Sequence, residues 1–202
     1  MTVGLSIVYG HGVIDGRRLR REQNRSAVLD ALGELYAEGN YQPNWNEIAE
    51  RAGLSPRSLF RYFDDGDDLT RAAIEHNQAK ARPLLDAGVS PSDPTEVKIR
   101  SLVEARLRLY DAIGPAARAA RIGAPRHPLI AAQVAQTRTY LRKQLGRLFA
   151  EELAQAPHAL PAADVLCSFE SHELMRFDHR LSRAKTAEVL VDGLTRLLEP
   201  AR

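Results

Sequence analysis

The sixteen residues IAERAGLSPRSLFRYF, positions 48–63, constrain this chain more tightly than any other stretch. Ala49 stands four positions before Gly53, a serine–proline pair follows at Ser55 and Pro56, and Arg57 and Arg61 come after it. Gly53 falls where a backbone leaving one helix must turn with positive φ, a conformation that a side chain resists. Ser55 is placed to cap the next helix, and Pro56 sits at its first position, where no backbone N–H is needed. The Ala49 methyl permits a close helix crossing, and Leu54, Leu59 and Phe63 supply a small core. The spacing predicts two short helices joined by a tight turn, a helix-turn-helix.

The flanking sequence agrees with that reading. Val28, Leu32 and Leu35 recur at helical spacing with Leu29 and Tyr36 beside them, predicting one amphipathic helix over about 19–38. Gly39-Asn40 ends it, and Asn44 with Glu47 forms a capping-box pattern that opens a helix reaching Ala52. Beyond about residue 81 the period stays helical, and the proline-, glycine- and acid-containing segment 82–96 marks a boundary. A helix is predicted from Thr95 to about Ile113, broken by Gly114-Pro115, with a short Ala/Arg-rich helix after it. Pro128 opens what should be the longest helix, with a stripe of Ile130, Val134, Leu141, Leu145 and Leu148. The stretch ADVLCSFESHELMRF reads as one helix buried on more than one face, and residues 182–199 as the last helix.

Composition narrows the function. The 202 residues carry a formal net charge of +2, which by itself points to no nucleic-acid partner, so any such signal must lie in how charge is distributed. A single cysteine, Cys167, rules out an intrachain disulfide and a cysteine-rich zinc site, and it suits a reducing cytoplasm. Residues 1–16 lack the basic start and cleavage pattern of a signal peptide and are expected to form a flexible leader. Glu170, His172, Glu173 and His179 lack the i, i+4 histidine pair of a zinc helix, and no phosphate loop or hydrolase elbow occurs. Neither an enzyme nor a metal or other cofactor is expected.

The stretch WNEIAERAGLSPRSLFRYFDDGDDL, with the helix and basic segment before it, resembles the DNA-binding head of the TetR (tetracycline-repressor) family of transcriptional regulators. The resemblance covers roughly residues 19–80 in motif, and the rest in length and helical layout. It implies an all-α fold, with a three-helix DNA-binding head over 17–80 and an effector-binding and dimerisation body over 81–202. It places Pro56, Arg57 and Ser58 nearest the base edges and Arg61 and Tyr62 near phosphates, with Asn46 as a further contact. A guanidinium suits either task, gripping guanine O6 and N7 or a phosphate. The segment RRLRREQNR, with Arg17, Arg18, Arg20 and Arg21 at its start, is a counterion-releasing arm for the DNA backbone or minor groove.

The resemblance also implies a dimer on a palindromic operator, a small-molecule effector and, as the expected sign, repression. The dimer face would come from the last two helices, here Val165, Phe169, His172, Leu190, Leu194 and Leu197. Arg106, Tyr110, Arg121, His127 and Tyr140 are the polar and aromatic candidates for an effector cavity. The chain departs from the family at Phe60 and Gly66, where a phosphate-holding tyrosine and lysine are common, and Asp64, Asp65, Asp67 and Asp68 crowd that loop. Those departures leave an alternative, an all-helical dimeric carrier or interaction module whose head no longer binds DNA.

Overall fold

The structure, a computed structural model, describes residues 16–198, and no strand occurs among them. The chain builds α1 (Gly16–Ala37), α2 (Trp45–Arg51), α3 (Pro56–Leu59), α4 (Gly66–Ala81) and, after a 3₁₀ turn, α5 (Thr95–Gly123). It continues through α6 (Pro128–Leu148), α7 (Ala150–Gln155), α8 (Ala159–Leu166), α9 (Phe169–Glu173), a π-helical turn (Leu174–Asp178) and α10 (Arg183–Leu198).

The first four helices close around one apolar cluster. Val28, Leu32 and Leu35 of α1 meet Ile48 and Ala49 of α2, Leu59 and Phe63 around α3, and Leu69 and Ala72 of α4. Ala49 and Phe63 are fully buried. Gly39 and Gly53 take φ of 89° and 68°, the left-handed turn geometry their positions require. The α2 capping box is complete: Asn44 accepts from the Asn46 and Glu47 amides, and Glu47 accepts from the Asn44 amide.

A second body of helices packs on α5. Ile99, Leu102 and Leu107 of α5 share a cluster with Leu145 and Leu148 of α6, Ala163 of α8 and Leu190, Leu194 and Leu198 of α10. A Cβ on Gly193 would stand 2.7 Å from Leu166 Cδ2, so the missing side chain sets how closely α10 crosses α8. One ion pair lies deep in this body: Lys98 Nζ stands 2.6 Å from Glu152 Oε1, and the Thr95 hydroxyl donates to the same oxygen. Arg183 joins α10 to α5 through Glu104 and Asp111.

Three expectations are corrected here. Gly114-Pro115 does not break the chain; α5 runs 29 residues with Pro115 inside it, and α6, at 21 residues, is not the longest helix. Proline removes one backbone donor, but Leu109 and Tyr110 before it and Ala117 and Ala119 after it are buried, and that packing holds the two halves in one helix. ADVLCSFESHELMRF is not one helix: it divides at Ser168, whose extended backbone (φ −73°, ψ 160°) and hydroxyl cap α9.

The third concerns the expected dimer face. Phe169, His172, Leu190 and Leu194 are buried within the single chain, between 0% and 5% exposed, and so present nothing to a partner. The amphipathic stripe of a terminal helix looks the same in sequence whether it faces its own core or a second copy. Leu197 is half-buried, and Val165 is exposed. The assignment of Leu194 to the core predicts that Leu194→Ala lowers stability by about 2–5 kcal/mol, measured as the urea unfolding midpoint. An unchanged midpoint would place Leu194 outside the core.

Candidate functional site

The α2–turn–α3 unit presents its polar residues outward because its apolar ones are used in the core beneath. Ser55 accepts from the Ser58 amide at 3.1 Å, and its hydroxyl lies 2.9 Å from that of Ser58. Pro56 starts α3. Asn46, Pro56, Arg57 and Arg61 are exposed, while Ser58 and Tyr62 are half-buried. Among the described residues neither Arg57 nor Arg61 has an acidic partner, unlike Arg51, which is paired with Glu34 and Glu38. Two guanidiniums without acidic partners, Arg57 in the capped first turn of α3 and Arg61 just past its end, are suited to bind an anion or a base edge.

Tyr62 is held from behind. Its hydroxyl accepts from Asn24 Nδ2 at 2.7 Å, which leaves the phenolic proton to donate outward. Its carbonyl accepts from Arg25, whose guanidinium also stacks 4.4 Å over Phe63 and pairs with Asp68 at 3.6 Å. Arg25 therefore secures α1 to the end of α3.

The basic segment before it is helical, forming the first turns of α1. Arg18, Arg20 and Arg21 are exposed on it, Arg18 being paired with Glu22. The Arg17 side chain and the leader residues 1–15 lie outside the described residues.

The acidic loop has internal uses. Asp65 caps α4 by accepting from the Asp68 amide at 2.7 Å, Asp68 accepts from the Asp64 amide, and both lie at the positive end of the helix. Asp67 faces His127 Nε2 at 3.3 Å, across to the start of α6. Phe60, where the family often has tyrosine, is 56% exposed and stacks on Trp45 with ring centroids 4.7 Å apart. That stacking of exposed Phe60 on half-buried Trp45 was not foreseen; Phe60 carries no polar atom to mark it, and its spacing matches a core position.

Behind this unit lies a cavity of about 1050 Å³ bordered by α4, α5, α6 and the α8–α9 junction and reaching Leu32 and Tyr36 of α1, residues 41–43 and Ile48 of α2, at the upper end of the size of small-molecule pockets. Arg106, Tyr110, Arg121, His127 and Tyr140 all border it. Tyr110 is buried and donates to the Cys167 carbonyl at 2.7 Å; burial pushes its phenol well above the ordinary value. Burial likewise pushes the Cys167 thiol up to about 11, which makes it a poor nucleophile. Tyr140 is exposed where it borders the cavity.

The sequence reading missed the polar partners here. Glu170 bridges Arg121, at 2.8 Å, and Arg138, and Gln78 of α4 donates to Gln133 of α6 at 2.9 Å. His172 lies outside the cavity lining, and its ring nitrogens have no hydrogen-bond partner among the described residues; burial lowers its pKa despite nearby Asp111 and Glu173. No cluster of three metal-ligating side chains occurs among the described residues.

Comparison with known proteins gives this geometry a context. No family model matches the chain. Over 89 residues it is 29% identical to the HTH-type transcriptional repressor LfrR of Mycolicibacterium smegmatis, a match covering 44% of this chain and 47% of that protein. Over 91 residues it is 26% identical to the HTH-type transcriptional activator FasR of the same organism, covering 45% of this chain and 42% of that one. The chain thus aligns with less than half the length of these relatives. A solved TetR-family transcriptional regulator from Streptomyces coelicolor superposes with a TM-score of 0.66 at 22% identity, covering 87% of this chain and 80% of that one. The fold is that of the TetR-family regulators.

The Glu170 cluster yields a pH dependence. Burial raises the Glu170 pKa, but hydrogen bonds from Arg121 and Arg138 outweigh it and bring the carboxyl from its ordinary 4.5 down to about 2. A group depressed in the folded state stabilises above its unfolded pKa and loses that contribution as pH falls through the folded one. Glu170→Gln is therefore expected to flatten the loss of stability between pH 4.5 and about 2, followed by urea unfolding at stepped pH. An identical slope in both proteins would contradict the assignment.

Proposed function

We propose that the chain is a homodimeric, ligand-responsive DNA-binding regulator of the TetR family, acting in the cytoplasm on a palindromic operator. The observation that carries this reading is the capped α2–turn–α3 surface, with Arg57 and Arg61 exposed and free of acidic partners among the described residues. Pro56, Arg57 and Ser58 approach base edges; Arg61, Tyr62, Asn46 and the exposed arginines of α1 engage phosphates or neighbouring groove edges. Residues 17–80 form the reading head and 81–202 the body that holds the effector and the partner. Repression is the sign named for LfrR, whereas FasR is named an activator, so a promoter-reporter assay decides it.

The dimer face is assigned to apolar groups that the single chain leaves uncovered. Val165, Leu174 and Phe177 are 66%, 53% and 58% exposed, and Val189 of α10 is 40% exposed, with half-buried Leu197 on the same helix. A two-fold pairing there sets two reading heads on two half-sites. The cavity is assigned to the effector, with Arg106, Tyr110, Arg121, His127 and Tyr140 on its wall. Helix α4 connects the two functions, since Ala72 belongs to the head core, Leu69 to both that core and the cavity wall, and Ile74, Asn77 and Gln78 to the cavity wall. A ligand that favours one arrangement of α4 shifts the spacing of the heads. No catalytic role is proposed.

The test is selection of bound duplexes from a random DNA pool, comparing the wild type with the Arg57→Ala/Arg61→Ala variant. A palindrome should be enriched by the wild type and lost in the variant. The slope of log affinity against log salt should fall by about 1 for each phosphate contact removed. A folded, dimeric wild type that enriches no sequence even at low salt would overturn the reading and favour a carrier or interaction module.

A further inference from the structure

Arg106 is a buried cation without an anion. Its side chain is among the largest fully enclosed in the chain, with 1% of the residue exposed, and it borders the cavity. One terminal nitrogen donates to Gln144 Oε1 at 2.7 Å and the other to the Leu141 carbonyl at 3.2 Å. Nε is buried with no acceptor, and among the described residues no carboxylate lies within 4.0 Å of the guanidinium. Gln144 is itself fixed, because its amide nitrogen donates to the Leu85 carbonyl at 2.6 Å and so turns Oε1 toward Arg106.

A guanidinium does not escape burial by losing its proton, and an uncompensated buried charge opposes folding. The carboxylates on the cavity wall do not answer it. Glu170 is committed to Arg121 and Arg138, and Asp164 faces Arg142 at 3.9 Å. Arg82, Arg106, Arg121, Arg126, Arg138 and Arg142 border the cavity against only those two acids, so its field favours an anion. The rest of the wall includes Leu109, Ile113, Val134, Leu141 and Leu145, which favour an apolar body.

We propose that Arg106 anchors the carboxylate head of an amphipathic effector whose apolar part fills the cavity. The Nε–H and the terminal N–H groups not used by Gln144 and Leu141 are the donors left for that head, which must displace the groups enclosing Nε to reach it. The proposal rests on the reading of this cavity as an effector site and adds the chemical class of the effector.

The test is isothermal titration of the full chain with octanoate and with octanol, which share an apolar chain and differ in the charged head. The wild type should bind octanoate at least about tenfold more tightly than octanol. Arg106→Met should remove that preference while leaving octanol affinity unchanged, and Arg106→Lys, which keeps the charge but not the planar fork, should fall between. Equal affinity of the wild type for both probes, which needs no variant to fold, would overturn the carboxylate assignment and leave the cavity as a neutral-ligand site. A preference that survives in Arg106→Met would also overturn it. Binding of neither probe would remove the effector-site reading of the cavity and the proposal together.

Discussion

The structure depends on α4 being used from both sides. Leu69 and Ala72 close the core of the first four helices, and without that wall Val28, Leu32 and Phe63 would lack cover. The same helix turns Ile74, Asn77 and Gln78 toward the cavity and joins α6 through the Gln78–Gln133 hydrogen bond. Its ends are tied as well. Asp67 at the start faces His127, and Lys80 near the end pairs with Asp30 of α1 at 3.2 Å. Packed side chains resist continuous deformation, and α4 contributes to both the core of the first four helices and the cavity wall.

Charge is divided by the same geometry. Arg25 and Arg51 are consumed inside the head, the first against Asp68 and Phe63 and the second against Glu34 and Glu38. On the α2–turn–α3 surface Arg57 and Arg61 have no acidic partner among the described residues. Of the acids in the α3–α4 loop, Asp65 caps α4, Asp67 faces His127 at the start of α6 and Asp68 pairs with Arg25. A net charge of +2 concealed this arrangement because it sums over groups that cancel locally.

The head was legible in the sequence because its signals are local. A turn glycine, a serine cap, a proline at the first helical position and a capping box each act within four residues, and all appear where expected. The body was less legible because its rules are tertiary. Pro115 reads as a helix break until its neighbours on α5 are known to be buried, and Ser168 interrupts a stretch whose apolar spacing is continuous. Leu190 and Leu194 form a stripe that says a face is covered but not by what. The five polar and aromatic residues expected at a cavity do border one, yet the feature that distinguishes Arg106, a missing counter-charge, exists only once the chain is folded.

The claim that α4 links the cavity to the reading surface is tested most directly by filling the cavity without a ligand. Ala120 of α5 borders it, and tryptophan there would occupy part of the volume. Measured by fluorescence anisotropy on a duplex selected by the wild type, Ala120→Trp should change the dissociation constant by about fivefold or more, with helical content preserved. A folded variant that binds the duplex as the wild type does would contradict the coupling on which the account rests.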